Sequence, residues 1–365
     1  VIWTTTPWTL PANEAVCVNP DEHYVEIEVL GEKWILAEKA LDRVTKEIGL
    51  SNYKVVNRVL GSSLEGLEYV HPLMDEVPEH NNHHNAHFIV CDRSVSVEEG
   101  TGCVHIAPAH GPEDFEIGRR YSLPIFCPVE VNGTYTDKAG KYKGLYVKEA
   151  NKLIIEDLKR KGLLVYEGSI LHEYPHCWRC ETPLIYRADK QWFLRIEPIK
   201  ELILNENRKV KWVPSWAGEA RFHNWIVNAR DWCISRLRIW GSPLNIWTCS
   251  RCNHRVCVGS IKELKEMSIK PIGEVELHRP WIDSVILRCP LCGGEMKREP
   301  HVLDCWLDSG VAHAASIGFL KDKELFEELF PYDFITEAVD QTRGWFFSLM
   351  FTSVMLFGRA PYRSV

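Results

Sequence analysis

Closely spaced cysteines are the residues of this chain whose type and spacing most directly indicate chemistry. Six of the thirteen cysteines stand in Cys-x-x-Cys pairs, at Cys177/Cys180, Cys249/Cys252 and Cys289/Cys292. Two such pairs supply four thiolates at tetrahedral reach, which is what a closed structural zinc site requires. Asn253, Gly293 and Gly294 are turn formers beside the last two pairs and let the backbone bend around a metal. We therefore expect the last two pairs to bind one Zn²⁺ ion in a zinc ribbon.

The first pair has no second pair left to complete it, because the other seven cysteines are single. Either residues outside this sequence complete a metal site at Cys177 and Cys180, or the pair holds no metal here. His254 and Cys257 lie near the second pair and are spare ligands that could exchange with its members. Cysteine pairs in a chain without an export signal favour metal or redox chemistry in a reducing cytosol over disulfides.

Three consecutive threonines, Thr4, Thr5 and Thr6, precede Pro7 and form a second concentration of polar side chains. On an extended strand, Thr4 and Thr6 would share one face and Thr5 would lie on the other. Hydroxyl groups donate and accept hydrogen bonds, so such a row can hold a water molecule or a sugar oxygen. Taken alone, three threonines also fit an ordinary β-strand.

The elements that must position these residues follow from hydrophobic periodicity. Residues 1–165 predict an α+β region, with a strand hairpin around Gly31 and Glu32, a strand at HFIVCD, and helices at EKALDRVTKEIG and YVKEANKLIIEDLKRKG. The polar run HNNHHNA at 80–86 predicts a solvated surface loop, although its histidines could also bind a metal. Near the end, EAVDQTRGWFFSLMFTSVMLFG predicts a long apolar helix.

Bulk composition limits the classes of protein that remain. The 365 residues suit two or three domains, and 45% of them are hydrophobic, which is enough for sizeable cores. No run of about 18 apolar residues predicts a membrane span, and no charged and apolar leader precedes the first strand. The net charge of −7 gives no global positive field for nucleic acid, so such a partner would contact local basic patches. We expect a cytoplasmic location and no membrane partner.

Six segments, taken in chain order, carry a resemblance to a known family. They read WTTTPWTLPAN, GTGCVHIAPAHGPEDF, YPHCWRCETPLIYR, WVPSWAGEARFHNWIVNARDWCISRLRIWG, DCWLDSG and EAVDQTRGWFFSLM. Together they closely resemble the isoleucyl-tRNA synthetases, which are class I aminoacyl-tRNA synthetases, over essentially the whole chain. The chain departs from the family pattern at Leu237 and Asn245, which puts the local fit of that connection in doubt.

The resemblance implies a fold class of α/β and α+β domains. It implies a β-barrel-rich editing domain, zinc-ribbon insertions and part of a Rossmann-type catalytic domain. The matching boundaries are 1–165 for the editing domain, 166–243 for a connecting segment with half of a zinc site, 244–300 for the zinc ribbon, and 301–365 for the start of the second Rossmann half. The family's HIGH and KMSKS signatures are absent from the sequence. We therefore expect a central fragment, with the partner pair of Cys177 and Cys180 before residue 1.

The resemblance also implies a hydrolytic site. The family must distinguish isoleucine from valine, and one methylene in an apolar pocket is worth only about 1–3 kcal/mol, so a second site hydrolyses valine wrongly esterified to tRNA(Ile). By resemblance, Asp114 anchors the α-amino group and His105 borders the amino-acid pocket near the ribose. The family's threonine-rich editing segment corresponds to Thr4, Thr5, Thr6 and Asn13. We expect hydroxyls and substrate, rather than a metal, to orient the attacking water.

An aminoacyl-adenylate site is implied near the end of the chain. By resemblance, Glu337 faces the adenylate, while Asp340 and Gln341 face the ribose and the amino acid. Trp306 and Trp345 match residues that wall the isoleucine side chain, because flat rigid rings exclude longer or branched alternatives. Core packing is the alternative reading of Trp345. The intact enzyme would use Zn²⁺, ATP and Mg²⁺ to charge tRNA(Ile) with isoleucine, and we expect a monomer.

Three functions stay open at this point. The favoured one is a fragment of an isoleucine–tRNA ligase whose one complete activity is hydrolytic editing. The alternatives are a non-catalytic zinc-ribbon module that binds tRNA and a free-standing deacylase that edits in trans. The intact set of His105, Asp114 and threonines argues against the first alternative, and the adenylate-binding residues argue against the second.

Overall fold

The computed structural model describes residues 1–274 and 276–365. They form two compact units, Val1–Asp189 and Lys190–Val365, and each unit has its own clusters of buried apolar side chains. Within the described part of the chain, no helix is both long and apolar enough to cross a bilayer. Short helices and small sheets alternate throughout, as expected for a combination of α/β and α+β domains.

The first unit consists of short strands and α-helices around two small sheets. Its strands are β1 Ala15–Val18, β2 His23–Val29, β3 Glu32–Ala37, β4 Lys54–Leu60, β5 Phe88–Cys91 and β6 Cys103–Ile106. Its α-helices are α1 Leu41–Glu47, α2 Pro112–Tyr121 and α3 Val147–Arg160. A 3₁₀ helix at Pro7–Ala12 precedes β1, and another at Pro78–Asn82 precedes β5.

Both sheets of the first unit have three strands. In one, β2 lies between β3 and β4 and is antiparallel to both. In the other, β1 lies between β5, to which it is parallel, and β6, to which it is antiparallel. The predicted hairpin of β2 and β3 is confirmed, and its turn has positive φ angles at Leu30 (50°) and Gly31 (88°), as a two-residue hairpin connection prefers. The barrel expected in this unit stays a prediction.

Both helices predicted in the first unit are confirmed as α1 and α3. The chain leaves each helix through a glycine in the left-handed region, at Gly49 and Gly162, both with φ of 69°. Glycine adopts this conformation without a steric cost and therefore ends helices readily. Helix α3 buries Ala150 and Ile154 in the core beside the 3₁₀ helix Pro7–Ala12.

The polar segment 80–86 lies mostly at the surface, as its composition predicts, and His80 is the exception. The segment begins in the 3₁₀ helix Pro78–Asn82, and only 2% of His80 is exposed. The ring of His80 stacks on that of His71, with 3.9 Å between the centroids. Composition alone does not reveal the burial of His80, because imidazoles can pack on one another and satisfy their nitrogens locally.

A buried tyrosine on β2 connects the two sheets of the first unit. Tyr24 is fully buried. Its hydroxyl donates to the carbonyl of Gly102, just before β6, at 2.7 Å, and accepts from the backbone N–H of Asn19, just after β1, at 2.9 Å. One side chain thus satisfies a buried acceptor and a donor at the ends of two neighbouring strands.

The second unit contains shorter strands and more helices. Its strands are β7 Phe193–Leu194, β8 Trp232–Cys233, β9 Ser235–Arg236, β10 Ile246–Cys249, β11 Arg255–Cys257, β12 Leu287–Arg288, β13 Glu295–Arg298 and β14 Val302–Leu303. Its α-helices are α4 Lys200–Asn207, α5 His223–Val227, α6 Ile261–Met267, α7 Cys305–Gly310, α8 Ala312–Ala315, α9 Lys323–Leu329 and α10 Trp345–Phe357. An antiparallel sheet with the order β11-β10-β13-β12 carries the two cysteine pairs of the predicted ribbon.

Three extended segments of the second unit pair in parallel around residues 361–365. Residues 211–213 and 332–335 flank this segment, with isolated parallel bridges at Lys211–Ser364 and Tyr332–Tyr362. Helix α10 joins 332–335 to 361–365, so the three elements form a β-α-β unit. Such units build parallel sheets, and the Rossmann domain of which this would be the start stays a prediction.

The apolar helix near the end is shorter than its sequence predicts. Residues Val339–Arg343 form a 3₁₀ turn, and α10 begins only at Trp345. The break lies at Gly344, where a β-carbon would come within 2.5 Å of the Gln341 side-chain oxygen. The Gln341 side-chain oxygen accepts from the backbone N–H of Trp345 and so caps the start of α10, where a continuous helix was predicted.

Replacing Tyr24 with phenylalanine is expected to lower the free energy of unfolding of the first unit by about 1–3 kcal/mol, because two buried backbone groups lose their partner. Urea unfolding followed by circular dichroism measures the change. Tyr166→Phe is the matched control, since Tyr166 is half exposed, and it is expected to shift stability by less than about 0.5 kcal/mol. Equal effects of the two changes would show that the Tyr24 hydroxyl does not hold the sheets.

Candidate functional site

The threonine segment enters the fold as an extended stretch followed by the 3₁₀ helix Pro7–Ala12. Pro7 stands at the first helical position, where its missing N–H costs no hydrogen bond. The N–H of Thr9 donates to the carbonyl of Thr6 at 2.9 Å and closes the first turn. The strand expected across the threonines is reduced to an isolated bridge at Trp3, because the chain bends at Thr5.

A chain of hydrogen bonds runs from the threonines to an imidazole on β6. The hydroxyl oxygens of Thr4 and Thr6 lie 3.4 Å apart, and those of Thr6 and Thr9 lie 3.2 Å apart. The Thr9 hydroxyl oxygen lies 2.9 Å from Nε2 of His105. Thr4 and Thr6 therefore share a face, as the alternation predicts, and Thr5 is exposed.

The hydrogen bonds of Thr9 determine the tautomer of His105. The Thr9 hydroxyl donates its only hydrogen to the Thr6 carbonyl at 2.8 Å, so it accepts from Nε2–H of His105. The Nδ1 atom of this histidine then carries a lone pair, is buried, and has no hydrogen-bond partner among residues 1–274 and 276–365. Burial lowers the pKa of His105 to about 4, so the ring is neutral at pH 7.

Asp114 lies in the first turn of α2, directly after the loop that follows β6. Its Oδ2 atom accepts a hydrogen bond from the backbone N–H of Ala107 at 2.9 Å, two residues beyond His105. Burial raises the pKa of Asp114 to about 6, and this effect exceeds the opposing hydrogen bond from Ala107. A half-buried carboxylate with one backbone partner binds a cation favourably, because the cation compensates for its lost hydration.

Asn13 lies beside these residues but points its side chain into the scaffold. Its amide nitrogen donates to the carbonyl of Ala15 at 2.8 Å, and its amide oxygen accepts from the Tyr69 hydroxyl at 2.5 Å. The structure therefore brings together the threonines and His105, while Asn13 is engaged in positioning β1. The sequence analysis missed Thr9. The signal was its position three residues after Thr6, because residues three apart lie on the same face of a 3₁₀ helix.

The four cysteines of the second unit form a compact cluster. All four sulfur atoms lie within 4.8 Å of one another. The sulfurs of Cys249 and Cys292 are 3.5 Å apart, and those of Cys252 and Cys289 are 3.7 Å apart. A tetrahedral zinc ion with bonds of about 2.3 Å requires sulfur separations of about 3.8 Å, so the residues present fit this metal. The spare ligands His254 and Cys257 are not members of the cluster within the described part of the chain.

The two halves of this cluster have the same backbone geometry. Cys249 N–H donates to the carbonyl five residues ahead, at His254, and its carbonyl accepts from the N–H four residues ahead, at Asn253. Cys289 makes the same pair of bonds, to Gly294 and from Gly293. The residue four positions ahead has positive φ in both, 57° at Asn253 and 71° at Gly293. Each turn thereby aims both of its thiols toward one point.

The unpaired Cys-x-x-Cys of the first unit repeats this geometry. Cys177 N–H donates to the carbonyl of Thr182 at 2.9 Å, and its own carbonyl accepts from the N–H of Glu181 at 2.8 Å. Glu181 has a φ of 59°, at the position that Asn253 occupies in the turn at Cys249. No second pair faces this turn in the part of the chain that the structure describes.

The residues expected at an adenylate site lie around the start of α10. The Gln341 side-chain oxygen accepts from the backbone N–H of Trp345 at 2.8 Å, and its amide nitrogen donates to Asp340 at 3.0 Å. The indole N–H of Trp345 donates to the Ser309 carbonyl on α7 at 3.1 Å. Glu337 and Asp340 are exposed. Gln341 and Trp345 thus have structural partners, while the carboxylates face solvent.

The second tryptophan expected at this site is positioned by an aspartate that sequence reasoning missed. Trp306 is the second residue of α7, and Oδ1 of Asp304 caps this helix by accepting from the backbone N–H of Trp306 at 3.2 Å. Oδ2 of Asp304 accepts from the Trp232 indole at 3.1 Å and from the Arg236 guanidinium. The sequence signal for this role was the position of Asp304 directly before the helix, because aspartate is a preferred N-cap residue.

Comparison with known families gives the class of protein to which this chain belongs. The sequence model of the family described as tRNA synthetases class I (I, L, M and V) matches residues 21–365. The chain therefore belongs to this family.

Among its relatives, the isoleucine–tRNA ligase of Methanothermobacter marburgensis is 52% identical over 368 residues. The isoleucine–tRNA ligases of Archaeoglobus fulgidus and Methanopyrus kandleri are 51% and 49% identical. Each alignment covers 100% of this chain, which spans only 34% to 36% of these relatives. The resemblance drawn from the sequence motifs is thus confirmed. The solved structure of GlLeuRS-CP1 is 15% identical with a TM-score of 0.34, over 46% of this chain and 83% of that one.

Replacing Asp114 with asparagine is expected to raise the free energy of unfolding of the first unit at pH 7 by about 1–3 kcal/mol. The carboxyl holds its proton more tightly in the folded chain, where its pKa is about 6, than in the unfolded chain, where the value is about 3.9. Ionisation therefore costs stability, and the cost grows from about pH 4 and is complete above about pH 6.

Urea unfolding at pH 7 and at pH 4 measures this gain, which is expected to disappear at the lower pH. Glu113→Gln is the matched control, because Glu113 is adjacent and exposed. A gain for Asp114→Asn of equal size at both pH values would contradict the burial of an ionised carboxylate.

Proposed function

We propose that this chain is the central part of an isoleucine–tRNA ligase and that its first unit hydrolyses valine wrongly esterified to tRNA(Ile). The observation that carries this proposal is the hydrogen-bond chain from Thr4 to His105, and the half-buried carboxylate of Asp114 accepts from Ala107, two residues beyond His105. An aminoacyl ester of tRNA has an ammonium group, a carbonyl and a ribose hydroxyl close together. The site offers an anion, an imidazole and a row of hydroxyls that suit these three groups.

Each side chain has a separate role in this reaction. Asp114 binds the α-ammonium of the valyl group, which compensates the carboxylate for its burial. Thr4 and Thr6 form the half-buried, accessible end of the hydroxyl chain and hold the ribose or the attacking water. Thr9 fixes the orientation and tautomer of His105 from the buried end.

Hydrolysis requires no strong base from the protein. The oxygen of the water attacks the ester carbonyl carbon, the bond to the ribose oxygen breaks, and that oxygen takes a proton from the water. His105 is neutral with a pKa near 4, so it serves as a hydrogen-bond partner rather than as a proton store. Steric exclusion of the larger isoleucine would complete the discrimination that a single apolar pocket cannot supply.

We further propose that Cys249, Cys252, Cys289 and Cys292 hold one structural Zn²⁺ ion. The spacing of their sulfurs and the repeated turn geometry support this assignment. The metal would join two turns that are distant in sequence and supply folding energy to the sheet that carries them. The turn at Cys177 and Cys180 has the same geometry, which favours a second zinc site whose other pair belongs to the longer protein.

Charging of tRNA(Ile) with isoleucine is proposed for the complete enzyme, as a cytoplasmic monomer. The residues that would border the adenylate and the amino acid are Trp306, Glu337, Asp340, Gln341 and Trp345. The exposed carboxylates near α10 and the capped start of α7 support this placement. ATP with Mg²⁺ would supply the activated phosphate there when bound.

The hydrolysis of Val-tRNA(Ile) by this chain is expected to slow by about 10²–10³-fold in Asp114→Asn, because the ammonium loses its counter-ion. Thr9→Val keeps the side-chain shape but removes the bond to His105, and a loss of at least about tenfold is expected. Single-turnover deacylation of labelled Val-tRNA(Ile) at saturating protein measures both rates.

Glu113→Gln is the matched control, since Glu113 is adjacent to Asp114, is exposed and lies outside the hydrogen-bond chain, and its rate should stay within about twofold. Full activity in Asp114→Asn would remove the editing assignment. No deacylation by the unchanged chain, together with retained tRNA binding, would favour a tRNA-binding module instead.

Cys252→Ser is expected to lose about one equivalent of bound zinc relative to the unchanged chain and to lower the unfolding temperature of the second unit, because the metal joins two of its turns. Elemental analysis and calorimetry measure the two effects. Cys257→Ser is the control, as Cys257 is an exposed cysteine of the same sheet outside the cluster. If only Cys257→Ser lost zinc, Cys257 rather than Cys252 would be the ligand.

A further inference from the structure

A second group of metal-ligand side chains lies in the first unit, behind the 3₁₀ helix Pro7–Ala12. It consists of one carboxylate and several imidazoles, from Glu14, His71, His80, His83 and His87. The side chains of Glu14 and His80 are completely buried. Phe126 packs its ring edge-on against two of the imidazoles and closes the group on one side.

The ligand atoms of this group have the separations of a metal site. One oxygen of Glu14 and one nitrogen each of His80 and His87 lie within 4.8 Å of one another. His80 Nδ1 is 3.2 Å from His87 Nε2 and 3.9 Å from Glu14 Oε1. A tetrahedral ion with bonds of 2.0 to 2.1 Å requires separations of about 3.3–3.4 Å, so small side-chain adjustments satisfy it.

The outer hydrogen bonds of the imidazoles show which rings are available. His80 Nε2 donates to the carbonyl of Pro11 at 3.0 Å, which leaves a lone pair on Nδ1, facing the group. His71 has both nitrogens occupied, because Nε2 donates to the Leu10 carbonyl at 3.2 Å and Nδ1 accepts from Leu73 N–H at 3.0 Å. His71 therefore supports the group but is not a ligand.

The remaining atoms point to an ion as their partner. Glu14 Oε1 is buried and makes no hydrogen bond of acceptable geometry within residues 1–274 and 276–365, although His83 Nδ1 lies 2.9 Å from it. Native proteins rarely leave a buried carboxylate oxygen in this condition. His87 has a φ of 62°, a strained conformation for a residue with a side chain, and such strain is concentrated at functional positions.

We propose that Glu14, His80 and His87, with His83 as the fourth ligand, bind one divalent transition-metal ion of the zinc class. Imidazole nitrogens favour this class over Mg²⁺ and Ca²⁺, which take oxygen ligands. The burial of the ligands leaves no open position for substrate, so the ion is structural. It joins the segment 78–87 to the residue that follows the threonine-bearing turn, and thus stiffens that turn from behind.

The alternative is a metal-free network in which His87 Nε2–H donates to His80 Nδ1 and His83 donates to Glu14. Cobalt distinguishes the two, because Co²⁺ bound by thiolates shows charge-transfer absorption that Co²⁺ bound by imidazole and carboxylate lacks. The metal-free 365-residue chain is titrated with Co²⁺, and the spectra are compared with the total Co²⁺ retained. We expect about one equivalent with visible cobalt bands and no thiolate charge transfer, in addition to the thiolate-bound metal.

His80→Gln and His87→Gln are expected to lose this equivalent and to keep the thiolate bands. His84→Gln should retain it, because His84 belongs to the same segment but is exposed. The proposal is overturned if all Co²⁺ retained by the unchanged chain shows thiolate charge transfer, a result that does not depend on the variants folding. If instead the four cysteines bind no metal, the charge-transfer bands will be absent while the imidazole-bound cobalt remains. The two metal proposals can therefore fail separately.

Discussion

The first unit depends on the hydrogen bonds that distant side chains donate to the carbonyls of the 3₁₀ helix Pro7–Ala12. Two prolines remove N–H groups from this turn, and the turn is too short to satisfy its own carbonyls. The donors are the Tyr135 hydroxyl to Trp8, His71 to Leu10 and His80 to Pro11. Because three separate parts of the chain bind its backbone, the turn has one position, and Thr9 therefore meets His105 at hydrogen-bond distance.

Buried polar atoms without a hydrogen-bond partner among the described residues lie on both sides of the turn, at Glu14 Oε1 behind it and at His105 Nδ1 in front of it. Behind the turn, His71 has a partner for both ring nitrogens. In front of it, His105 has an unpartnered nitrogen among the residues described, and the Asp114 carboxyl has a pKa raised by burial. Such groups lower the stability of the free protein and are expected where a ligand supplies the missing partner. The same arrangement explains why a rigid support is needed, since unsatisfied groups would otherwise move toward water.

The cysteine turns around Cys249 and Cys289 border a cluster of buried apolar side chains that includes Trp247, Leu287 and Met296. The three turns share two backbone hydrogen bonds and a positive φ four residues after the first cysteine. This geometry is local, so each turn can form before its partner arrives. The cluster around Cys249 brings two such turns together across an antiparallel sheet. A metal there would add folding energy to that of the apolar cluster in this part of the second unit.

The sequence by itself determined what depends on neighbours along the chain. Hydrophobic spacing predicted the β2–β3 hairpin and helices α1 and α3, cysteine spacing predicted the turns, and the ordered motifs identified the family. The tertiary structure alone decided which distant groups meet. It brought Thr9 to His105, and it buried His80 at the start of a polar segment that is otherwise exposed or half-buried. The physical reason is that periodicity records which face of an element is apolar, whereas a buried polar group is stable only through partners that the fold supplies.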